Sequence, residues 1–434
     1  MIPRNYKAFG GGGETTMNPL ALAILIAGLL AMCLLPKRFL LIPFVLLALL
    51  MPGEEQIVIL GLHFSIMRVL IVGAWCRCAF YLKCHKLTLL DMMFIAWVIT
   101  STCAYTLLWE DVGALVFKLG FAFNALGIYF LFRQLLCGRV SAIRFVRILV
   151  IACVFIAFLM VYESATGHNL LSIIGGPGQA ELRHERFRSQ GPFAHPIIAG
   201  TFGAILMPIF VSLWVFRDCK TYAVSGLIAT TFIMFTSASS TPVAAFCGGI
   251  VALLLWPMRG HMRLVRWGIV GTLIVLQIVM NAPVWALLTR FDAVGGSSGW
   301  HRFMLIDQFF RHVGDWWLTG TTANSSWGFD MWDRANWYVQ VGIDGGIVTL
   351  FLFLSVIVLG FRAVSKGCLD CKRDVTWERF AWGLGCSLFA SVVSFMGISL
   401  SDQSIIAWYG LLALLSALSA GAMQSHYNLD YIIK

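Results

Sequence analysis

Charged side chains are scarce in this sequence. They fill 12% of 434 positions while hydrophobic residues fill 59%, a balance that excludes an ordinary soluble domain. Other shortages are local. The two polar stretches at about 164–196 and 284–342 contain neither lysine nor cysteine, so no disulfide framework is expected to hold them. They also lack an Asp-x-Asp triplet, the acidic pair with which many sugar-transferring enzymes hold a metal. No internal repeat is visible, and nothing at the start resembles a cleavable signal peptide. Residues 1–17, with four consecutive glycines, read as a flexible segment before a single domain over 18–434.

What the chain has instead is long apolar runs. Candidate spans lie near 18–35, 39–51, 61–81, 89–109, 112–135, 147–163, 197–216, 221–237, 242–257, 267–283, 343–361, 380–399 and 404–421. A helical crossing needs about 20 residues, and 39–51 falls short, so twelve or thirteen crossings are expected. Backbone groups in lipid must be satisfied internally, and no barrel-like alternation appears. The expected fold is therefore all-α, a polytopic membrane helical bundle.

Lysine and arginine set its orientation. One set of connections holds residues such as Lys37, Arg38, Arg77, Arg139, Arg144, Arg147, Arg217, Arg259, Arg362 and Lys366, and also the tail ending at Lys434. The short connections of the other set, at Glu54–Glu55, Glu110–Asp111, Ser237–Thr241 and Ser399–Ser404, hold none. The first set is read as cytoplasmic. The side of the N-terminus stays open, because it flips if 39–51 does not cross. The formal net charge of +10 belongs to these orientation signals and implies no nucleic-acid partner. Cys368 and Cys371 form a lone C-x-x-C, and a zinc site needs more ligands.

The two polar stretches are then extracytoplasmic loops. The second holds Trp300, Trp316, Trp317, Trp327, Trp332 and Trp337, too aromatic for a disordered linker. After Ser297 and Ser298 as cap candidates, Phe303, Ile306, Phe310, Val313 and Trp317 recur at spacings of three and four. That stripe predicts a helix lying at the membrane surface, with Arg302 at its edge. Its rings anchor it to the interface, face sugars, or do both.

All basic residues of the loops are arginines: Arg183, Arg186, Arg188, Arg290, Arg302, Arg311 and Arg334. A guanidinium grips phosphate oxygens with two parallel hydrogen bonds, whereas an ammonium is a point charge. Seven carboxylates share the loops (Glu181, Glu185, Asp292, Asp307, Asp315, Asp330 and Asp333). Pairing with these and binding an anion are the two readings for the arginines. Arg68 and Lys118 lie inside expected spans near their outer ends. They either snorkel to the surface or line a basic chamber open to the outer leaflet.

Three elements, in order, resemble the O-antigen ligase and polymerase superfamily. The first is Arg188-Ser189-Gln190-Gly191-Pro192-Phe193-Ala194-His195-Pro196, leading into a span. The second is Arg302, followed downstream by Trp317-Leu318-Thr319-Gly320. The third is Asn336, then nine residues, then Gly346-Ile347-Val348-Thr349. The likeness covers roughly 160–361 and implies a GT-C-like fold. It departs from the ligases at Ala335, where they carry a histidine. That favours a polymerase, as does the spacing of Arg334 and Gly345, which resembles the arginine-to-glycine motif of O-antigen polymerases.

The resemblance implies transfer of a glycan from undecaprenyl pyrophosphate to a sugar hydroxyl of an acceptor glycan, in the bacterial inner membrane. No cofactor or metal is implied; arginines in a water-poor chamber can neutralise the departing pyrophosphate. Arg188 and Arg302 are expected on the pyrophosphate, with Arg186, Arg334, Asn336, Lys118 and Arg68 as substrate contacts. His195 is the expected proton-handling group or a helix cap, with Glu185 and Asp333 as other candidates for the base. The partners implied are the lipid-linked glycan, the acceptor, the bilayer and a chain-length regulator. An O-antigen ligase acting on lipid A core or on protein is the alternative within the family. A polysaccharide or lipid transporter is the alternative outside it, though no inverted repeat is present.

Overall fold

The computed structural model describes residues 17–53, 55–59, 62–79, 86–136, 138–183, 185–290, 298–371, 374–401 and 403–421. The expectations for residues 1–16, Asp292, Ser297 and the tail ending at Lys434 lie outside the described residues. In chain order the helices are α1 (Pro19–Leu34), α2 (Leu41–Leu50), α3 (Ile66–Ala79), α4 (Leu89–Trp109), α5 (Val112–Leu135), α6 (Arg139–Thr166), α7 (Pro196–Ser212) and α8 (Lys220–Thr236). They continue with α9 (Ser240–Leu254), α10 (Met262–Val279), α11 (Ser298–Arg311), α12 (Val313–Trp316), α13 (Trp337–Asp370), α14 (Val375–Ser394) and α15 (Ser404–Ser419). The sheet among the described residues consists of two hairpins, β1 (Gln56–Ile59) with β2 (Leu62–Ser65) and β3 (Glu181–Arg183) with β4 (Arg186–Arg188). Among the described residues, six helical stretches are long and apolar enough to cross a membrane. The chain is an all-α, multi-pass membrane bundle.

Every expected apolar segment contains a helix, and polar residues set the starts. Asn18 caps α1 ahead of Pro19, Thr88 and Asp91 form a reciprocal capping box on α4, and Asp111 caps α5. Each satisfies backbone N–H groups that a helix start leaves without partners. α7 and α15 are apolar all round and are buried all round, as such helices must be. α8, α9 and α14 pack on α7, while α4, α14 and α15 pack on α13.

The helices run between two ends of different chemistry. At one end Arg144 donates to the Arg38 carbonyl at 2.9 Å, Arg139 pairs with Asp374 at 2.9 Å and Arg259 with Glu378 at 2.8 Å. Lys366 donates there to the Ser419 carbonyl at 2.7 Å. At the other end lie the two long loops and the short connections that lack lysine and arginine. There Asn18 donates to the Ile173 carbonyl at 3.0 Å, and Gln403 donates to the carbonyls of Met51 and Pro192 at 2.9 and 2.7 Å. Both ends of α2 are thereby fixed, and α1 starts at the loop-rich end.

Two expectations change. The span expected at 61–81 is shorter, because β2 takes its first residues into a hairpin and α3 begins only at Ile66. The chain alternates Leu62-His63-Phe64-Ser65 there, a period of two hidden inside an apolar run. The surface helix forms as α11, but its buried face is turned from the expected stripe. Arg302, Leu305, Ile306 and Phe309 are buried, whereas Phe310, Val313 and Trp317 are exposed. Arg302 therefore heads the buried face instead of standing at its edge. The cause is a docking partner: Phe309 stacks on Trp316 with ring centroids 3.9 Å apart. A Cβ on Gly342 of α13 would stand 2.6 Å from the Phe309 ring, so that glycine makes room for it.

Candidate functional site

The site is assembled at the loop-rich end around the start of α9. Strands β3 and β4 pair Glu181 with Arg188 in register. Arg188 is 3% exposed; its Nη1 donates to Glu181 at 2.8 Å and its Nη2 to the Ser239 hydroxyl at 2.9 Å. Its Nε is buried without a hydrogen-bond partner. Ser239 holds the N-cap position of α9, yet its hydroxyl donates to the Ser237 carbonyl at 2.9 Å and does not cap. Arg302 comes to the same helix start from the other loop. A Cβ on Gly397 would stand 2.9 Å from Arg302 Nε and 2.5 Å from the Thr241 hydroxyl. The guanidinium and the threonine therefore meet over that glycine. Two buried arginines from separate loops thus flank Ser239–Thr241, the first turn of α9. The partial positive charge of a helix start adds to theirs.

His195 stands beside Arg188. It is the N-cap of α7, its Nδ1 accepting from Ile197 N–H at 3.2 Å ahead of Pro196. Its side chain is exposed at one edge, and partial desolvation, then the positive charge of Arg188, hold its pKa below the ordinary histidine value, with Glu181 and Asp333 opposing and Arg183 adding a little. The two loops meet here, since Arg188 of the first and Arg302 of the second both reach the start of α9. Burial also lowers the Arg188 pKa, Glu181 opposes this, and Arg183 reinforces it.

A second cluster is built on a break in α13. Gly346 has φ 72° and ψ −174° inside an otherwise continuous helix, a conformation that excludes side chains. The run Trp317–Gly320 docks into the break. Thr321 N–H donates to the Ile343 carbonyl at 2.8 Å, and Ile347 N–H donates to the Trp317 carbonyl at 2.8 Å. Gly320, at φ 96°, lies against the Ile343 carbonyl, and Gly346 lies against the Leu318 carbonyl. Two of the three resembling motifs are therefore halves of one seam. Beside it the buried Asp344 accepts from Arg334 at 2.5 Å and from Lys118 at 3.3 Å. The Lys118 ammonium lies 4.3 Å from the centroid of the Tyr105 ring.

The remaining expected residues divide. Arg186 is exposed on β4. Asn336 caps α13 through Tyr338 and Val339 N–H and donates to the Met396 carbonyl at 3.2 Å. It is buried, and its amide is spent on the fold. Arg68 lies against α5, where a Cβ on Gly120 would clash with its guanidinium. Of the arginines expected to pair or to bind an anion, Arg188, Arg311 and Arg334 have carboxylate partners in Glu181, Asp307 and Asp344.

Sequence reasoning missed Ser239 and Thr241, which sit in a four-residue connection between spans, and Asp344, which sits inside one. A lone carboxylate in an apolar run is itself a signal, and it went unused. No protein-family model matches this chain, and no curated protein matches it.

Proposed function

We propose that this protein is a membrane glycosyltransferase that polymerises undecaprenyl-pyrophosphate-linked repeat units into a surface polysaccharide. The observation that carries the reading is the convergence of Arg188 and Arg302 on the start of α9. Two buried guanidiniums, buried hydroxyls and a helix N-terminus together suit the oxygens of a pyrophosphate. Glu181 fits this reading as a resting counter-ion, since its side chain is half exposed and can leave as phosphate oxygens arrive. In the proposed reaction the acceptor hydroxyl attacks the anomeric carbon. The carbon–oxygen bond breaks, and its electron pair leaves with the pyrophosphate.

In this reading the bundle has thirteen crossings and a GT-C-like architecture in the bacterial inner membrane. The loop-rich end faces outward and the basic end faces the cytoplasm. The acceptor is a growing glycan, and a chain-length regulator is a natural partner. A ligase acting on lipid A core or protein uses the same donor site and differs in acceptor. One observation favours a transporter instead: α13 is broken beside a buried carboxylate, as in helices that bind ions for coupled transport.

Interactions that strengthen as charge builds on the leaving oxygen raise turnover itself. Arg188→Ala and Arg302→Ala should each lower the rate of polymer formation by about 10²–10³, and Arg188→Lys should do nearly as badly. The assay is polymer length from lipid-linked repeat units, with purified variants matched for monodispersity and with EDTA present. Full-length polymer from both alanine variants ends the arginine mechanism. Loss of wild-type turnover in EDTA, restored by magnesium or manganese, ends its metal independence. Substrate movement across vesicles without bond formation supports the transporter.

A further inference from the structure

The arginine cradle supplies a place for the leaving group, and its one carboxylate, Glu181, is committed to Arg188. His195 is poorly placed to take the proton of the attacking hydroxyl. Its Nδ1 already caps α7, and the neighbouring charge of Arg188 opposes a second positive charge on the ring.

One residue before Arg302, on the same turn of α11, stands His301, which sequence reasoning passed over. Its side chain is 16% exposed, with Nδ1 3.9 Å from an Asp330 oxygen and Nε2 3.7 Å from an Asp333 oxygen. Both separations exceed hydrogen-bond length. Both ring nitrogens are buried and have no hydrogen-bond partner. Asp330 is held at φ 61°, a left-handed conformation in which aspartate is one of the few tolerated side chains. The neighbouring Arg302 meets Thr241 at the start of α9, where Ser239 takes Arg188, so the cluster lies on the loop segment that helps to form the cradle.

We propose that His301 is the general base of the transfer, with Asp330 and Asp333 as its positioning residues. The inference rests on the glycosyl-transfer reading above. A closure of less than 1 Å lets one carboxylate accept the ring N–H and hold the ring, while the other nitrogen keeps its lone pair. The acceptor hydroxyl displaces the carboxylate that faces that nitrogen and donates its one hydrogen to the nitrogen lone pair. As the hydroxyl oxygen bonds to the anomeric carbon, its proton passes to the ring nitrogen. The glycosidic electron pair departs on the pyrophosphate, so charge is conserved in the step. The imidazolium that forms lies between two carboxylates. The proton is then released to water. Leaving group and base are thus served by adjacent residues of one helix, Arg302 and His301, which fixes their relative positions.

The test compares wild type with His301→Gln, His301→Ala, and the double variant Asp330→Asn/Asp333→Asn. The probe is the undecaprenyl-pyrophosphate-linked repeat unit, with kcat and KM measured separately. Both His301 variants should lose about 10²–10⁴ in kcat with little change in KM, and added imidazole should restore part of the rate to His301→Ala. The double variant should lose kcat while still binding donor. Unchanged kcat in folded His301→Gln overturns the proposal, as does a fall that imidazole does not relieve. If neither histidine variant folds, a fully active double variant overturns it. Failure of wild type to form any glycosidic bond from this donor removes the transfer reading itself, and this proposal with it.

Discussion

At the scale of single residues, the arginines show what a sequence can and cannot say. Their clustering in two loops without lysine was legible, and Arg188 and Arg302 do converge on one helix start. What they converge on was not legible, because Ser239 and Thr241 are ordinary residues in a short connection and gain meaning only from three-dimensional placement. Asn336 shows the reverse case. A motif marked it, yet its amide is committed to capping and to the Met396 carbonyl. His195 gives a prediction with a definite sign. Its folded pKa is depressed, so protons bind the unfolded chain more tightly than the folded one. That contribution to stability is intact above the unfolded histidine pKa of about 6.5. It is lost as pH falls from there through the folded value. Protonation at Nδ1 also removes the acceptor for Ile197 N–H. Thermal melts of wild type should therefore fall on acidification below about 6.5 more steeply than those of His195→Asn, which keeps a capping oxygen and does not titrate. Parallel curves would refute this.

At the scale of elements, apolar runs identified helices well and hairpins poorly. β2 was absorbed into the span expected at 61–81 because four apolar-rich residues leave little room to reveal a period. The face of α11 was misjudged for a different reason: periodicity gives a stripe, and only the partner decides which stripe is buried. Here the partner is α13, through Gly342. The seam between Trp317–Gly320 and the break in α13 rests on glycines that accept left-handed backbone and close carbonyls. Gly346→Ala should disturb both its own backbone and the approach of Leu318, where a Cβ would stand 2.3 Å from the carbonyl. The strain alone costs about 1–3 kcal/mol. Gly178→Ala has open space for its Cβ and serves as the control. A lowered melting midpoint and faster proteolysis between 317 and 336 are expected for Gly346→Ala alone. Equal behaviour of the two variants would remove the seam from the account of stability.

At the scale of the whole molecule, Arg38, Arg139, Arg144, Arg259 and Lys366, all counted in the first set, make their contacts at one end of the bundle. The starting side of α1 stayed undecided in the sequence since it turned on α2, a helix of 10 residues that spans about 15 Å. Contacts at Asn18 and Gln403 decide it. Cysteines placed at Ser325 and at Ser365 in a cysteine-free background should label from opposite sides of the membrane, Ser325 from outside. Labelling of both from one side would overturn the sidedness. One helix stands apart from this order: α10 has no buried residue, and it joins the far end of α9 to the loop that carries Arg302. Such a helix behaves as a tether. Where α10 crosses the bilayer, as in the proposed reading, it holds the start of that loop at the membrane surface. Short tethers of this kind raise the effective concentration of one group at another to the order of millimolar. The meeting of Arg302 with Thr241 is thus favoured by confinement before any contact between them forms.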